Sequence, residues 1–255
     1  MAEFLLIDNS NSFTKFALSS RERLGANRKL PTAELNRASV LKILHGWRFE
    51  HVVLCSVVPA KALLLERCLR SHPCHRVSAG SPLGVKIEYP QPSTIGADRL
   101  ANACAAAALF GAPSVVVDFG TAVSFDILSK GNTYVGGVIA PGLAAMTDYL
   151  HQRTALLPKI DLLEPPDAIG KSTRHAMLAG AVYGYRGLVR EILRQIQKSL
   201  KLRRMPRVIA TGGYAELIAS DLPEIAEVHP RLTLEGLRLI AGSAFSTNIP
   251  SPVHP

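Results

Sequence analysis

Long hydrophobic runs are missing from this 255-residue sequence. Its Ala-rich stretch, Ala101 to Ala112, is short and broken by Asn102, well under the ~20 apolar residues that a membrane-spanning helix needs. The opening MAEFLLIDNS has an acid where a secretory signal would be basic, and its apolar run stops after a few residues. A cytoplasmic location with no membrane partner is therefore expected. Cysteine is scarce: Cys55, Cys68, Cys74 and Cys104 form no C-x-x-C pair, which argues for free thiols in a reducing compartment. Cys68, His72, Cys74 and His75 cluster, but their spacing matches no standard zinc finger, and no structural metal is expected there.

Acidic residues are in deficit, 20 against 29 basic, for a net charge of +9. Such an excess raises nucleic acid as a partner. The obvious basic stripe, Arg186, Arg190, Arg194 and Lys198, recurs every four residues on an amphipathic helix and lacks interleaved aromatics or a flanking nucleic-acid motif. It reads as a solvated face, so nucleic acid is not the expected partner. The positive charge suits anionic substrates such as nucleotides. A Walker A loop is missing too. Gly170, Lys171 and Ser172 resemble its tail, but Pro165 stands where the motif needs glycine and no strand is expected before it.

What is present is a repeated strand, turn and strand. VVVDFGTAVSFDIL, Val115 to Leu128, has an apolar β-branched run, an acid, a glycine turn with hydroxyls and a second alternating run. LIDNSNSFTKFAL has the same plan 110 residues earlier, pairing Asp8 with Asp118, Ser10 with Gly120, Asn11 with Thr121, Thr14 with Ser124 and Leu18 with Leu128. Either copy alone is more simply a hairpin whose acid satisfies its own turn. Together they suggest a duplicated fold whose turn amides meet phosphate, each acid holding a cation through water. Lys15 lies just past the first turn, where a lysine could reach a bound phosphate, although solvent-facing strand lysines are common and the position alone decides nothing.

Around these turns strands and helices alternate, predicting an α/β layer. A helical pattern covers Thr32 to Trp47, a buried strand His51 to Ser56, and a helix Pro59 to Arg70. A loop from Ser78 to Ser93 leads through IGADR into an alanine-rich helix starting after Gly96. Asp98 then falls in the first turn, where the helix dipole keeps a carboxylate ionised; simple charge complementarity would also explain it. Such a carboxylate can accept a proton during phosphoryl transfer while Arg99 steadies an anion. Gly136, Gly137 and Gly142 permit close backbone approach before a helix near Leu143. Thr173 is placed as the cap of a long helix from about Arg174 to Leu200. RVIATGGYAELIAS reads as strand, Gly-Gly and helix, expected to approach the nucleoside end of a nucleotide. LTLEGLRLIAGSAF is an amphipathic helix, and the tail IPSPVHP is expected to fray.

Taken in order, LLIDNSNSFTK, IGADR, DFGTA, YVGGVIAPG, IGKST, TGGYA and EGL resemble the type III pantothenate kinases, within the superfamily of acetate and sugar kinases, Hsp70 and actin. The resemblance covers nearly the whole chain. It implies a duplicated ribonuclease-H-like (actin-like ATPase) fold, with residues 1–110 and 111–255 as halves and the active site in the cleft between them. It implies transfer of the ATP γ-phosphate to pantothenate, with Mg2+ or another divalent ion, and a homodimer. The ATP contacts would be Asp8, Asn9, Ser10, Asn11, Ser12, Phe13, Thr14, Lys15 and Thr121. Asp98 would be the catalytic proton acceptor. Tyr89, Gly96, Ala97, Asp98, Arg99 and Thr173 would contact pantothenate. Asp118 would bind a monovalent cation, K+ or NH4+, and Asp8 the divalent ion through water. This chain departs from the family in having Ser10 for a glycine and Ser12 for a threonine. Another small-molecule kinase of the superfamily, and a non-catalytic regulator on the same fold, remain alternatives.

Overall fold

The computed structural model of the chain describes residues 2–246, and the tail IPSPVHP lies outside them. The described chain divides into two compact units, one made of the chain up to Gly84, Pro90–Ala105 and the chain from Thr233, the other of Val85–Tyr89 and Ala106–Leu232.

The first unit is built on β1 (Ala2–Asn9), β2 (Phe13–Ser19), β3 (Leu24–Pro31), β4 (Phe49–Ser56) and β5 (Cys74–Arg76), in the order β3-β2-β1-β4-β5. β1 runs antiparallel to β2 and parallel to β4. Helices α1 (Arg37–Leu44) and α2 (Pro59–Cys68) cover one face, where Leu5, Ile7, Phe16, Val52 and Leu54 meet Val40, Ala62 and Leu65. Asn36 and Ser39 form a reciprocal capping box at the start of α1, and Pro59 occupies the first turn of α2, where its missing N–H costs nothing. This unit also contains α7 (Leu232–Ala244) and the first part of α3 (Ala97–Phe110).

The second unit repeats the plan with β7 (Ser114–Phe119), β8 (Ala122–Ser129), β9 (Thr133–Pro141), β10 (Arg207–Thr211) and β11 (Glu227–Val228), β6 (Lys86–Ile87) being added at the edge. The order β11-β10-β7-β8-β9-β6 has the same pairing senses as the first sheet. Helices α4 (Leu143–Arg153), α5 (Thr173–Ser199) and α6 (Ala215–Ala219) complete it. Val182, Tyr185, Val189 and Leu193 of α5 join Val115, Val117, Phe119 and Phe125 in its core. The duplicated ribonuclease-H-like fold is thus present in both sheets.

The two hairpins are not related by one constant spacing. Asp8 faces Lys15 across the first, whereas Asp118 faces Ser124 across the second. Likewise Phe4 faces Ser19 and Ser114 faces Leu128. The structural counterparts of Ser124 and Leu128 are therefore Lys15 and Ser19, not Thr14 and Leu18. Ser10, Asn11 and Ser12 separate the first pair of strands, but only Gly120 and Thr121 the second, and an antiparallel register follows its turn.

Two further sequence expectations change. The supposed helix from Thr32 to Trp47 is a 3-10 turn, Thr32–Glu34, followed by the shorter α1. The basic stripe of α5 is a solvated face at Arg190, Arg194 and Lys198, which are exposed, but not at Arg186. Arg186 is 2% exposed, forks onto Glu164 at 2.8 and 2.6 Å and donates to the carbonyls of Leu217 and Ile218, which end α6. Arg190 pairs with Glu224 and Arg194 with Glu191. A bidentate guanidinium is suited to capping buried carbonyls while holding a carboxylate, so the charge of Arg186 is spent within the fold.

Candidate active site

The first turn begins where β1, buried and hydrophobic, delivers Asp8 and Asn9 at its end. Asp8 is 1% exposed and engaged at both oxygens. The Ser10 hydroxyl donates to Oδ1 at 2.8 Å and the Lys15 ammonium to Oδ2 at 3.2 Å. Lys15 is about half-exposed. Ser10 is not among the non-glycine residues with positive φ, which within the described chain are Asn132 and Lys201. The departure from glycine is therefore accommodated without strain, and the serine hydroxyl adds a bond that glycine lacks. The Ser10→Gly variant is expected to show catalytic efficiency equal to or below the parent's; a gain above about tenfold would mean that the serine obstructs phosphate.

The start of α3 carries the next group. Ala97 is buried at its first position, and Asp98 follows in the first turn. The Asp98 carboxylate folds back to accept the Arg99 backbone N–H at 2.8 Å. A Cβ at Gly96 would lie 2.6 Å from Asp98 Oδ1 and 3.6 Å from a methyl of Val57, so glycine at this position leaves room for the carboxylate. Burial pushes the Asp98 carboxyl above its ordinary range; the Arg99 amide opposes this, while the charge of Asp8 adds to it. The buried Cys55 thiol, paired with Asp8 in the strand register, is raised well above its usual value by burial and by the charges of Asp8 and Asp98. These mutual influences place Asp8, Lys15, Cys55 and Asp98 in one neighbourhood. Sequence reading missed Cys55, which has no motif around it.

In the second unit Asp118 is the last residue but one of β7, beside Thr211 of β10, and Gly120 and Thr121 form the turn. The Gly120 N–H closes this turn on the Ala122 carbonyl at 3.1 Å. Gly212 has φ +94, and an added Cβ would fall 2.6 Å from the Asp118 carboxylate and from the Phe119 backbone. The Gly-Gly step after β10 thus lets two chain segments touch beside Asp118. Gly142, at the start of α4, similarly lies against the carbonyls of Gly120 and Thr121. Tyr89 packs against Gly136 and lies 6.4 Å from the Tyr134 ring. Thr173 is exposed and is the first residue of α5, not its cap. Ser172 holds the cap, accepting the His175 N–H at 3.3 Å. Thr173 borders an 840 Å³ apolar groove with Met146, Tyr149 and Leu150 of α4. No strand lies between α4 and α5, as the rejected Walker A reading required. Among the described residues no group of three or more His, Cys, Asp or Glu side chains is placed to hold a metal ion by itself.

A turn ending in an acid, with a recessed carboxylate beside it, suits the handling of a phosphate and a hydroxyl acceptor. Comparison with known proteins gives the arrangement a family. Residues 4–195 match the family model described as type III pantothenate kinase. A protein of that name from Akkermansia muciniphila is 55% identical over 240 residues, covering 94% of this chain and 98% of the relative. Another from Methylacidiphilum infernorum is 43% identical, covering 92% and 87%. Among solved structures, a Campylobacter jejuni protein described as a Baf family transcriptional activator superposes with a TM-score of 0.62 at 19% identity, covering 94% of this chain and 98% of its own. The activator of 2-hydroxyisocaproyl-CoA dehydratase from Clostridium difficile gives 0.55 at 11%, covering 98% and 100%. At such identities these two bear on the fold alone. The sequence matches reach further, and by them the chain belongs to the type III pantothenate kinase family.

Proposed function

We propose that this chain transfers the γ-phosphate of ATP, with a divalent cation, to the primary hydroxyl of pantothenate, giving 4'-phosphopantothenate in the first step of coenzyme A synthesis. The observation that carries this reading is the 55% identity to a type III pantothenate kinase along nearly the full length of both chains. In this reading the turn from Asp8 to Lys15 and Thr121 contact ATP. Tyr89, Gly96, Ala97, Asp98, Arg99 and Thr173 contact pantothenate. Asp98 orients the acceptor hydroxyl and takes its proton late, when little base strength is needed.

The ions fit the groups available. Asp8 has Ser10 on one oxygen and Lys15 on the other, which leaves lone pairs for ordered water and suits a divalent ion held at one remove. Asp118 is half-buried at a strand end among glycine-lined backbone, a setting for a monovalent cation, K+ or NH4+. When bound, the ions neutralise charge that develops on the transferred phosphoryl group. The exposed Met146, Tyr149 and Leu150 of α4 support a homodimer. A cytoplasmic setting without membrane or nucleic-acid partners completes the reading. Among the described residues no helix is long and apolar enough to cross a membrane, and the arginines that suggested nucleic acid are matched to carboxylates.

The test is ATP-dependent phosphorylation of pantothenate by the purified protein with Mg2+, run in parallel with potassium, ammonium or sodium as the sole monovalent cation. Turnover with potassium or ammonium and little with sodium is expected. Equal rates in all three would remove the cation role of Asp118. Folded protein that phosphorylates other hydroxylated acceptors but not pantothenate would overturn the substrate.

A further inference from the structure

The first turn is held from below by a side chain far away in sequence. Thr32 is 4% exposed and opens the 3-10 turn that follows β3. Its hydroxyl donates to the Ser10 carbonyl at 2.7 Å, and its backbone N–H donates to the Ser12 carbonyl at 3.0 Å. One residue therefore fixes two peptide groups of a three-residue turn.

The hydroxyl is also the last member of a chain of hydrogen bonds whose direction can be assigned. Thr32 has one hydroxyl proton, and it goes to a carbonyl that can only accept. Thr14, 3.0 Å away, must then donate to Thr32. With its proton so used, Thr14 accepts from Asn9 Nδ2 at 2.8 Å. The amide oxygen of Asn9 in turn accepts the Ser56 hydroxyl at 2.7 Å. Ser56, Asn9, Thr14 and Thr32 thus donate in sequence toward the Ser10 carbonyl, and Asn9, Thr14 and Thr32 are all buried. Bonds aligned head to tail polarise one another.

We infer that Thr32 is a positioning residue for nucleotide phosphate, acting through the Ser10–Asn11 peptide. In a trans peptide the C=O and N–H point in opposite directions. Holding the Ser10 carbonyl inward therefore turns the Asn11 N–H outward, and the bond to that carbonyl makes the N–H a better donor. The same logic applies weakly to Phe13 through the Ser12 carbonyl. This inference rests on the proposal that the turn from Asp8 to Lys15 meets ATP.

The test compares Thr32→Val, which keeps shape and removes the hydroxyl, with Thr32→Ser, which keeps the hydroxyl. Binding of MgATP is measured by calorimetry, and KM for ATP and for pantothenate by steady-state kinetics. Thr32→Val is expected to weaken ATP about tenfold, equivalent to ~1.4 kcal/mol, with the pantothenate KM nearly unchanged and the melting temperature lowered by the loss of a buried hydrogen bond. Thr32→Ser should restore ATP binding. Ser56→Ala, at the half-exposed far end of the chain, should weaken ATP in the same direction by about twofold to threefold, and it serves if Thr32→Val does not fold. Unchanged ATP affinity in Thr32→Val, or in Ser56→Ala where that variant must stand in, would overturn the inference. So would equal losses for both substrates, or failure of serine to rescue. Parent protein that binds ATP without phosphorylating pantothenate would sink the proposed function but leave the Thr32 comparison decisive. Parent protein that binds no ATP would overturn both.

Discussion

Replacing Asp98 with asparagine is expected to lower kcat about 10³-fold while changing the affinity for ATP by less than about twofold. Asparagine keeps the size of the group and can still accept the Arg99 N–H that positions Asp98, but it cannot take a proton. The pH dependence gives a second signature. Burial raises the Asp98 pKa, and only the ionised form accepts a proton, so kcat/KM should rise with pH through a limb lying above the ordinary carboxylate range. In Asp98→Asn that limb should vanish from the residual rate. The stability linkage has the opposite sense. A carboxyl whose pKa is raised on folding contributes stability that is present below its unfolded value and lost as pH rises through the folded value. At neutral pH the ionised Asp98 therefore opposes folding, and Asp98→Asn should melt no lower than the parent. Loss of turnover with a lower melting temperature and equally weakened ATP binding would mean that Asp98 supports the fold rather than the reaction.

The second large effect is expected at Gly236, in the EGL segment of α7. A Cβ there would stand 1.9 Å from the Ala101 carbonyl oxygen of α3, a distance no contact allows. α3 has little freedom to yield. Leu100, Ala101 and Ala103 are fully buried, and the buried Thr233 of α7 donates to Asn102 at 2.9 Å. Gly236→Ala is expected to cost about 3 kcal/mol and to lower the melting temperature by roughly 6–12 °C. The control is Gly242→Ala in the same helix, where an added Cβ meets nothing within 4 Å; it should be neutral or slightly stabilising because alanine favours helix. Equal melting temperatures for the two variants would show that α7 does not rest on α3 this closely. Because α3 presents Asp98 in its first turn, surviving Gly236→Ala protein should also turn over more slowly.

Much of this protein was legible because its chemistry is local. An acid at the end of a β-branched strand, followed by small residues and a second alternating run, specifies a hairpin through nearest-neighbour preferences alone. Two copies, at Asp8 and Asp118, disclose the duplication. IGADR places an acid in the first turn of a helix for reasons contained in a few residues, and the order of such segments was enough to suggest the family. The elements that escaped reading have no local signal. β3 runs through Gly25, Asn27 and Pro31 and is largely exposed; it is a strand because β2 offers it an edge. The one-residue slip between the hairpins follows from turn length, which periodicity does not register.

Charge was the least readable property. Four basic residues spaced along α5 give the pattern of a solvated stripe, yet Arg186 is buried because α6 and Glu164 converge on it across the fold. Likewise no sequence pattern joins Thr32 to Ser10, Ser56 to Asn9, or Cys55 to Asp8 and Asp98. By itself the sequence determined the strands that flank the two turns, the turns themselves and the residue types that chemistry would need, since these depend on contacts a few positions apart. Only the tertiary structure decided which charges are cancelled, which hydroxyls hold the first turn and why Asp98 has a raised pKa. Each of those is set by burial and by partners distant along the chain.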